Sequence, residues 1–231
     1  GVDWIAVPTS LAGMVDASVG GKTGINSEYG KNLIGAFHSP LSVIIDPSFL
    51  ETLSKRDISA GMAEVIKCGF IADPEILKVA AQCDATSLVS NKSSVLDLIT
   101  RAVTVKATVV SSDFRESFAR EALNYGHTLG HAIEKYSKYQ MRHGEAVAIG
   151  MVFIAELASG RALIDAQTVQ MHRDLLARYE LPTTFERAAW QKLAPLLSLD
   201  KKARGNTIRF VALDGIGSTL RLDDLTSDEL D

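Results

Sequence analysis

The feature that most constrains the fold is a change of sequence pattern near residue 55. Before it, short runs rich in β-formers at residues 4–7 and 42–46 stand among glycines and predict strands. After it, apolar residues recur at helical spacing, as in residues 95–111. The chain is therefore expected to contain an α/β remnant, residues 1–54, followed by a mainly α-helical domain, residues 55–231.

The helical part divides into several predicted elements. Ser54 or Asp57 can cap a first helix over residues 60–70, and an Asp-Pro pair at 73–74 starts a second, with proline in a favoured first-turn position. Residues 144–163 are apolar nearly all round, which predicts a central helix. Further helices are predicted over 95–111, 116–136, 168–179 and 185–198, and a last strand over 208–213.

Composition excludes several classes of protein. The formal net charge is -4 and no long basic run occurs, which argues against nucleic-acid binding. The apolar stretches are short and interrupted, so none is expected to span a membrane. Two cysteines, Cys68 and Cys83, are too few for a disulfide framework and indicate a reducing, cytoplasmic setting. The chain opens at Gly1 directly on a predicted strand, which we interpret as the loss of an N-terminal portion.

Two histidines four residues apart are the strongest local signal of chemistry. His127 and His131 would present both imidazoles on one face of a helix, a spacing that suits a metal. Gly126 and Gly130, which alternate with them, are expected to keep that face open to close approach. The alternative interpretation is a pair of histidines that make polar contacts in the core.

A third histidine and a carboxylate could complete a metal site. His143 precedes the apolar helix, and Glu64 lies in the apolar segment 61–67, where a charge is costly unless it is paired or coordinated. Three such ligands, with a position left for water or substrate, are typical of catalytic zinc. The alternatives are an ordinary residue at a helix start for His143 and an i,i+3 ion pair with Lys67 for Glu64.

Glycine-rich and cationic positions could bind an anion. Residues 20–24 resemble a phosphate-binding loop but lack the spacing of a P-loop, and a flexible turn is the default interpretation. Residues 29–32 form a second expected loop. Four further cations, each taken alone, are expected to be solvated surface charges: Lys106, Arg120, Lys201 and Lys202.

Together, these ordered motifs resemble the 3-dehydroquinate synthase family. The resemblance covers nearly the whole chain and rests on the segments 8–11, 15–24, 30–37, 61–67, 124–131, 143–147 and 200–202. It implies a dehydroquinate synthase-like fold. In that fold, residues 1–54 are the C-terminal remainder of an NAD-binding α/β domain, and residues 55–231 form the domain that binds metal and substrate.

The resemblance also implies a role for each matching residue. The implied zinc ligands are Glu64, His127 and His143, a set that replaces the pairing of His127 with His131. The implied catalytic residues are Glu116 and His131, both for proton transfer, and Lys67. The implied substrate contacts are Asp16, Lys22, Asn32, Lys67, Lys106, Arg120, Asn124, His143 and one of Lys201 and Lys202. The implied NAD contacts are Thr9, Ser10, Lys31, Phe49, Leu50, Glu51 and Thr52.

The activity that the resemblance implies is conversion of 3-deoxy-D-arabino-heptulosonate 7-phosphate to 3-dehydroquinate and phosphate, in the shikimate pathway of aromatic amino-acid biosynthesis. The C5 alcohol is transiently oxidised with NAD, phosphate is eliminated, the ketone is reduced again, and the opened ring closes by an aldol step. Zn²⁺ or Co²⁺ would bind substrate oxygens as a Lewis acid. The implied assembly is a homodimer.

The charge of this substrate leads to a structural expectation. It carries a carboxylate and a phosphate, so cations must gather around it. We expect Lys22, Lys67, Lys106 and Arg120 to converge on one electropositive pocket beside the metal, despite the net charge of -4. A fold that placed Lys67, Lys106 and Arg120 on separate faces would contradict this expectation.

Three alternatives stay open. Other sugar-phosphate cyclases, such as 2-epi-5-epi-valiolone synthases, share the metal and NAD but close different sugars, and Lys106, Arg120 and Asn124 favour the carboxylate-bearing substrate. An iron-type alcohol or glycerol dehydrogenase would not need the converging cations. A non-catalytic helical module could hold a structural metal, but three ligands without a suitable cysteine fit an open, catalytic site better.

Overall fold

Short strands form the first part of the chain. The computed structural model describes residues 2–27, 30–112, 118–204 and 208–230, with their side chains except at 26–27, 30–33, 118–119, 198–204 and 227. The strands of the first part are β1 (Ile5–Ala6), β2 (Ile25–Ser27), β3 (Gly30–Ile34) and β4 (Ser42–Val43). β1 and β4 pair in parallel, and β2 and β3 form an antiparallel pair.

The strands predicted near residues 4–7 and 42–46 are confirmed, although both are shorter than expected. The loop expected at 29–32 is wrong from Gly30 onward. The physical reason is the β2–β3 pairing, in which Gly30 lies opposite Ser27 and Ile34 opposite Ile25.

From residue 55 onward the described chain is mainly helical, which confirms the predicted fold class. The helices are α1 (Lys55–Ile71), α2 (Pro74–Ala80), α3 (Lys92–Ser112), α4 (His127–Tyr136), α5 (His143–Gly160), α6 (Ala166–Arg178), α7 (Trp190–Arg204) and α8 (Ser227–Leu230). Ser54 is the cap of α1, because its hydroxyl oxygen accepts a hydrogen bond from the backbone N–H of Asp57 at 3.2 Å. Asp73 caps α2 in the same way, and Pro74 occupies the first turn.

The single helix expected over 116–136 is interrupted. Residues Phe118–Asn124 form a 3-10 helix, and α4 begins only at His127. Gly126 lies between them with φ +76°, a left-handed conformation that glycine adopts without strain and that breaks helical continuity. Arg120 and Asn124 therefore lie on a different element from His127.

α5 is the central helix that its all-round apolar sequence predicts. Its buried residues include Val147, Met151 and Ala155, and α1, α4 and α6 pack around it. After α7, β5 (Phe210–Leu213) and β6 (Thr219–Leu222) form an antiparallel hairpin. Within the described ranges, none of the helices combines the length and the apolarity that crossing a membrane requires.

Candidate metal site and cationic pocket

Glu64, His127 and His143 meet at one point although they belong to three helices. They lie on α1, α4 and α5, and their potential ligand atoms are within 4.8 Å of one another. Oε1 of Glu64 faces both imidazoles, at 3.6 Å from Nε2 of His127 and 3.3 Å from Nε2 of His143. One carboxylate and two imidazoles this close together form a set that suits a transition metal such as zinc.

Close packing of α5 against α1 brings His143 to Glu64. Gly144 lies so near α1 that a Cβ at this position would be 1.9 Å from the carbonyl oxygen of Ala60. No side chain could occupy that space, so a glycine here allows the two backbones to touch. The start of α5 is thereby held one helical turn from Glu64.

Glycines also allow α4 to approach α5. A Cβ at Gly150 would be 1.9 Å from the carbonyl oxygen of Gly126, and one at Gly130 would lie 3.3 Å from the backbone of Ala146. The close approach that Gly126 and Gly130 were expected to permit does occur, and the group that approaches them is the backbone of α5. They face α5, where their lack of a side chain permits helix packing.

The backbone of Tyr125 fixes the orientation of His127. Nδ1 of His127 is 3.0 Å from the Tyr125 carbonyl oxygen, and a carbonyl can only accept, so Nδ1 carries the proton. The lone pair of Nε2 is then directed toward Glu64. A hydrogen bond of this kind is the usual way in which a protein selects the tautomer of a metal-binding histidine.

A buried histidine supports Tyr125 from behind. Nε2 of His172 is 2.9 Å from the Tyr125 hydroxyl, and Nδ1 of His172 donates to the carbonyl of Thr168 at 2.7 Å. The His172 ring also stacks on Phe70 with a centroid separation of 3.5 Å. Burial lowers the pKa of His172 to about 4, although the Thr168 carbonyl opposes the shift. His172 is thus neutral at pH 7. The sequence contains no signal for its contact with Tyr125, because a lone histidine on an amphipathic helix is not distinctive.

Glu64 is a buried carboxylate with one oxygen paired and one oxygen without a donor. Oε2 contacts the ammonium of Lys67, so the i,i+3 pair considered above does form. Oε1 has no hydrogen-bond partner among the described residues. Burial opposes ionisation of Glu64, but the charge of Lys67 and the contacts with His127 and His143 hold its pKa well below the usual range. A buried, ionised oxygen without a donor is a group that a cation would satisfy, so these residues fit a metal ion.

His131 lies at the exposed rim of the same site. Its ring centroid is 5.4 Å from that of His127 and 6.0 Å from that of His143. In the described residues, His131 groups with Glu134 and His143, and not with His127, as a possible set of ligands. The spacing-based pairing of His127 with His131 is therefore wrong, because Tyr125 directs His127 inward while His131 stays at the surface.

A pocket of about 220 Å³ opens beside the metal ligands. Four cationic side chains line it: Lys22, Lys67, Lys106 and Arg120. Asp16, Asn124 and all three histidines of the site line it too. The expected convergence of the cations is confirmed. Lys106 and Arg120 are only 8% and 5% exposed, so the default interpretation of these two residues as solvated surface charges is wrong.

Two of the pocket cations are paired with carboxylates. Lys67 contacts Glu64, and Lys106 contacts Asp16. Burial and the charge of Glu64 oppose ionisation of Asp16, but Lys106 and Lys67 lower its pKa below the ordinary value. Burial likewise works against the charge on Lys67, and Glu64 and Asp16 outweigh it and raise the pKa. The pairs keep the ammonium groups charged and fixed in place next to the pocket.

The C-terminal hairpin holds the element that carries Arg120 and Asn124. Within the 3-10 helix Phe118–Asn124, Oε2 of Glu121 accepts a hydrogen bond from Nε of Arg221 on β6 at 2.7 Å. Its Oε1 lies 3.8 Å from Arg209, just before β5. The contact joins residues 100 positions apart, and the sequence contained no signal for it.

The residues expected to contact NAD lie beyond the carboxyl ends of the parallel strands. Thr9 and Ser10 follow β1, and residues 49–52 follow β4 in the 3-10 helix Pro47–Thr52. Ligands of parallel sheets bind at this edge, so the placement fits part of a nucleotide site. Thr9, Phe49, Glu51 and Thr52 are exposed. Leu50 is only 1% exposed, so its side chain belongs to the core and only its backbone is available to a ligand.

Five of the expected site residues cannot be placed in full. Glu116 lies outside the described residues, and so do the side chains of Lys31, Asn32, Lys201 and Lys202. The backbones of Lys31 and Asn32 belong to β3, and those of Lys201 and Lys202 belong to α7. The roles of all five stay predictions.

Comparison with known proteins shows the same family along the chain. Residues 61–203 match the family model for the C-terminal part of 3-dehydroquinate synthase, and residues 1–60 match the model for its N-terminal part. The 3-dehydroquinate synthase of Mycobacterium leprae is 52% identical over 222 residues, which are 96% of this chain and 62% of that protein. The chain spans about 60% of the length of the curated relatives it matches.

Two solved structures are similar in fold. One is 2-epi-5-epi-valiolone synthase from Streptomyces hygroscopicus subsp. jinggangensis 5008 with NAD⁺ and Zn²⁺ bound, with a TM-score of 0.90, 28% identity, and coverage of 99% of this chain and 64% of that one. The other is 2-deoxy-scyllo-inosose synthase complexed with carbaglucose-6-phosphate, NAD⁺ and Co²⁺, with a TM-score of 0.82, 27% identity, and coverage of 95% and 62%. With the two family models covering residues 1–203, this chain belongs to the 3-dehydroquinate synthase family.

Proposed function

We propose that the protein is a 3-dehydroquinate synthase, which converts 3-deoxy-D-arabino-heptulosonate 7-phosphate to 3-dehydroquinate and phosphate. The observation that carries the proposal is the shared location of two features. The Glu64, His127 and His143 set and the four-cation pocket border each other, and the three histidines line that pocket. A substrate with both an anionic group and metal-binding oxygens would suit such a site.

The pocket cations bind and orient the anionic substrate in this proposal. Lys22, Lys67, Lys106 and Arg120 take its carboxylate and phosphate, together with Asn32, Asn124 and one of Lys201 and Lys202. Asp16 holds Lys106 in place through their ion pair, so that the ammonium is ordered before the substrate binds. Three of the cations are buried, and the weak solvation there strengthens their attraction for an anion.

The metal is held by Glu64, His127 and His143, and His143, which also lines the pocket, is assigned a contact with the substrate. The set suits Zn²⁺ or Co²⁺. When bound, the ion supplies Lewis-acid polarisation of substrate hydroxyl and ketone oxygens. Lys67 neutralises the second oxygen of Glu64, and Tyr125 keeps His127 in the tautomer that leaves Nε2 unprotonated.

NAD would contact Thr9, Ser10, Lys31 and residues 49–52, beyond the ends of β1 and β4. When bound, it supplies a hydride acceptor that returns the hydride later, so the net reaction is not a redox change. Proton transfers at the substrate are assigned to His131 and Glu116, and Lys67 assists in catalysis. The exposed position of His131 beside His127 supports this assignment, because an exposed imidazole can exchange protons with solvent.

A sibling sugar-phosphate cyclase is the second candidate, because the similarity to the valiolone synthase extends to a TM-score of 0.90. Sequence identity favours the first candidate, at 52% to the Mycobacterium leprae synthase against 28% to the valiolone synthase. The buried Lys106 and Arg120 favour it as well, because they suit a substrate that carries a carboxylate in addition to its phosphate.

Three further properties belong to the same proposal. We propose that residues 1–54 belong to an NAD-binding domain and residues 55–231 to a metal- and substrate-binding domain, which the start of α1 at Lys55 supports. We also propose a homodimer located in the cytoplasm. Sedimentation analysis of the full-length protein tests the dimer, and a monomer at micromolar concentration would contradict it.

The experiment that tests the activity is phosphate release from 3-deoxy-D-arabino-heptulosonate 7-phosphate by the full-length protein with NAD. We expect release to stop on chelation, to return with Zn²⁺ or Co²⁺ but not with Mg²⁺, and to be absent from His127→Ala. The Mg²⁺ arm is the control, because imidazole ligands favour the softer ions. Folded, metal-loaded protein that releases no phosphate from this substrate, but does so from another sugar phosphate, would favour the sibling cyclase.

A further inference from the structure

His143 lies between two carboxylates, of which only one belongs to the metal set. Nε2 is 3.3 Å from Oε1 of Glu64, and Nδ1 is 3.3 Å from Oε1 of Glu134. Glu134 lies on α4, two helical turns after His127, so one helix carries a metal ligand and a group that contacts the other histidine ligand. The sequence offered a hint in the spacing of His131 and Glu134, which share a helix face.

The burial of Glu134 requires an explanation. The residue is only 6% exposed, and a carboxylate at such a position is costly without a compensating partner. Nδ1 of His143 lies within hydrogen-bond distance of its Oε1, at 3.3 Å. A carboxylate accepts and an imidazole N–H donates, so this contact places a proton on Nδ1 and leaves Nε2 as the nitrogen that can bind an ion beside Glu64.

The two histidine ligands are therefore supported by acceptors of different charge. His127 donates to a neutral backbone carbonyl, that of Tyr125, whereas His143 donates to a carboxylate. The difference matters because Lys67 contacts the second oxygen of Glu64 and reduces the negative charge that this ligand offers to a cation. A second carboxylate on the far side of His143 restores negative charge near the ion. It also makes Nε2 of the imidazole more basic and therefore a stronger metal ligand.

We propose that Glu134 is a positioning residue of the metal site, whose carboxylate fixes the tautomer and ring orientation of His143 and strengthens its binding to the ion. The inference rests on the proposed metal site and adds a residue to it. It is independent of which sugar phosphate the protein acts on.

The test is a Co²⁺ titration of the metal-free full-length protein, read by visible absorption and by competition with a chelator of known affinity. We expect Glu134→Gln to weaken Co²⁺ binding about 10-fold and Glu134→Ala up to about 100-fold, the range found for groups that orient metal ligands. The absorption bands of Glu134→Ala should also shift, because His143 loses its fixed orientation. Glu75→Gln, which changes a half-exposed carboxylate on α2, is the control and should bind Co²⁺ like the wild type.

Two results would overturn the inference. One is Glu134→Ala protein that is folded by circular dichroism and binds Co²⁺ with wild-type affinity and spectrum. The other is a stoichiometry of two ions in the wild type that falls to one in Glu134→Ala, because His131, Glu134 and His143 would then be ligands of a second ion. A wild-type protein that binds no Co²⁺ at all would instead contradict the proposed function, so the two failures are distinguishable.

Discussion

Gly144 and Ala60 are in direct backbone contact, since a Cβ at residue 144 would be 1.9 Å from the carbonyl oxygen of Ala60. We expect Gly144→Ala to push α5 away from α1 and to lower the free energy of unfolding by roughly 1–3 kcal/mol, the usual effect of overpacking. His143 is the neighbouring residue, so affinity for Zn²⁺ should fall as well. Urea unfolding and metal titration measure the two effects.

Gly160→Ala is the control for this substitution. Gly160 ends the same helix, and a Cβ there would meet nothing within 4 Å. Alanine is a better helix former than glycine by roughly 0.5–1 kcal/mol, so stability should stay unchanged or rise. Equal destabilisation by both substitutions would show that the contact with Ala60 does not set the position of α5.

Lys67→Met should destabilise the metal-free protein. Lys67 is 1% exposed and neutralises the buried Glu64, so its loss leaves a carboxylate in the core without its ammonium partner. We expect the free energy of unfolding to fall by roughly 3 kcal/mol, as for other buried ion pairs that lose one member. Lys78→Met removes a lysine from an exposed i,i+3 pair and should change stability by less than about 0.5 kcal/mol. Similar losses from both variants would contradict the burial argument.

His172 should make stability depend on pH. Its pKa is lowered from the ordinary 6.5 to about 4 by burial, so the unfolded chain binds more protons than the folded chain between these values. His172 therefore costs no stability above pH 6.5. As the pH drops toward 4, its titration lowers the free energy of unfolding by roughly 3 kcal/mol in total. Unfolding of the metal-free protein at several pH values, compared with His172→Gln, isolates this contribution. A stability difference between the two proteins that stays constant from pH 7 to 4 would refute it.

Glu121→Gln should weaken substrate binding without unfolding the protein. Glu121 lies on the same 3-10 helix as Arg120 and pairs with Arg221 of the C-terminal hairpin. We expect KM to rise several-fold, with kcat less affected, because the loss of the partly exposed ion pairs of Glu121 with Arg221 and Arg209 costs about 1 kcal/mol. Glu156→Gln breaks a comparable surface pair with Arg173 on α5 and α6 and serves as the control. An unchanged KM in Glu121→Gln would show that the hairpin does not position Arg120.

The sequence by itself determined the helical architecture and the residues of the metal set. Helical periodicity and caps predicted α1, α2, α3 and α5 because these signals depend only on neighbouring residues. The identity of Glu64, His127 and His143 as a set followed from motifs that resemble a known family. Spacing along the chain alone favoured His127 with His131, because spacing cannot report which way a side chain faces.

Only the tertiary structure decided how these residues are held together. Gly126 breaks the predicted helix through a left-handed backbone conformation, and Gly144 and Gly150 act through contacts with other helices. The contacts of Tyr125 with His127, Glu134 with His143 and Glu121 with Arg221 link separate elements or lie across a helix break. Their energy arises from burial and from hydrogen-bond geometry, two quantities that exist only once distant segments have packed.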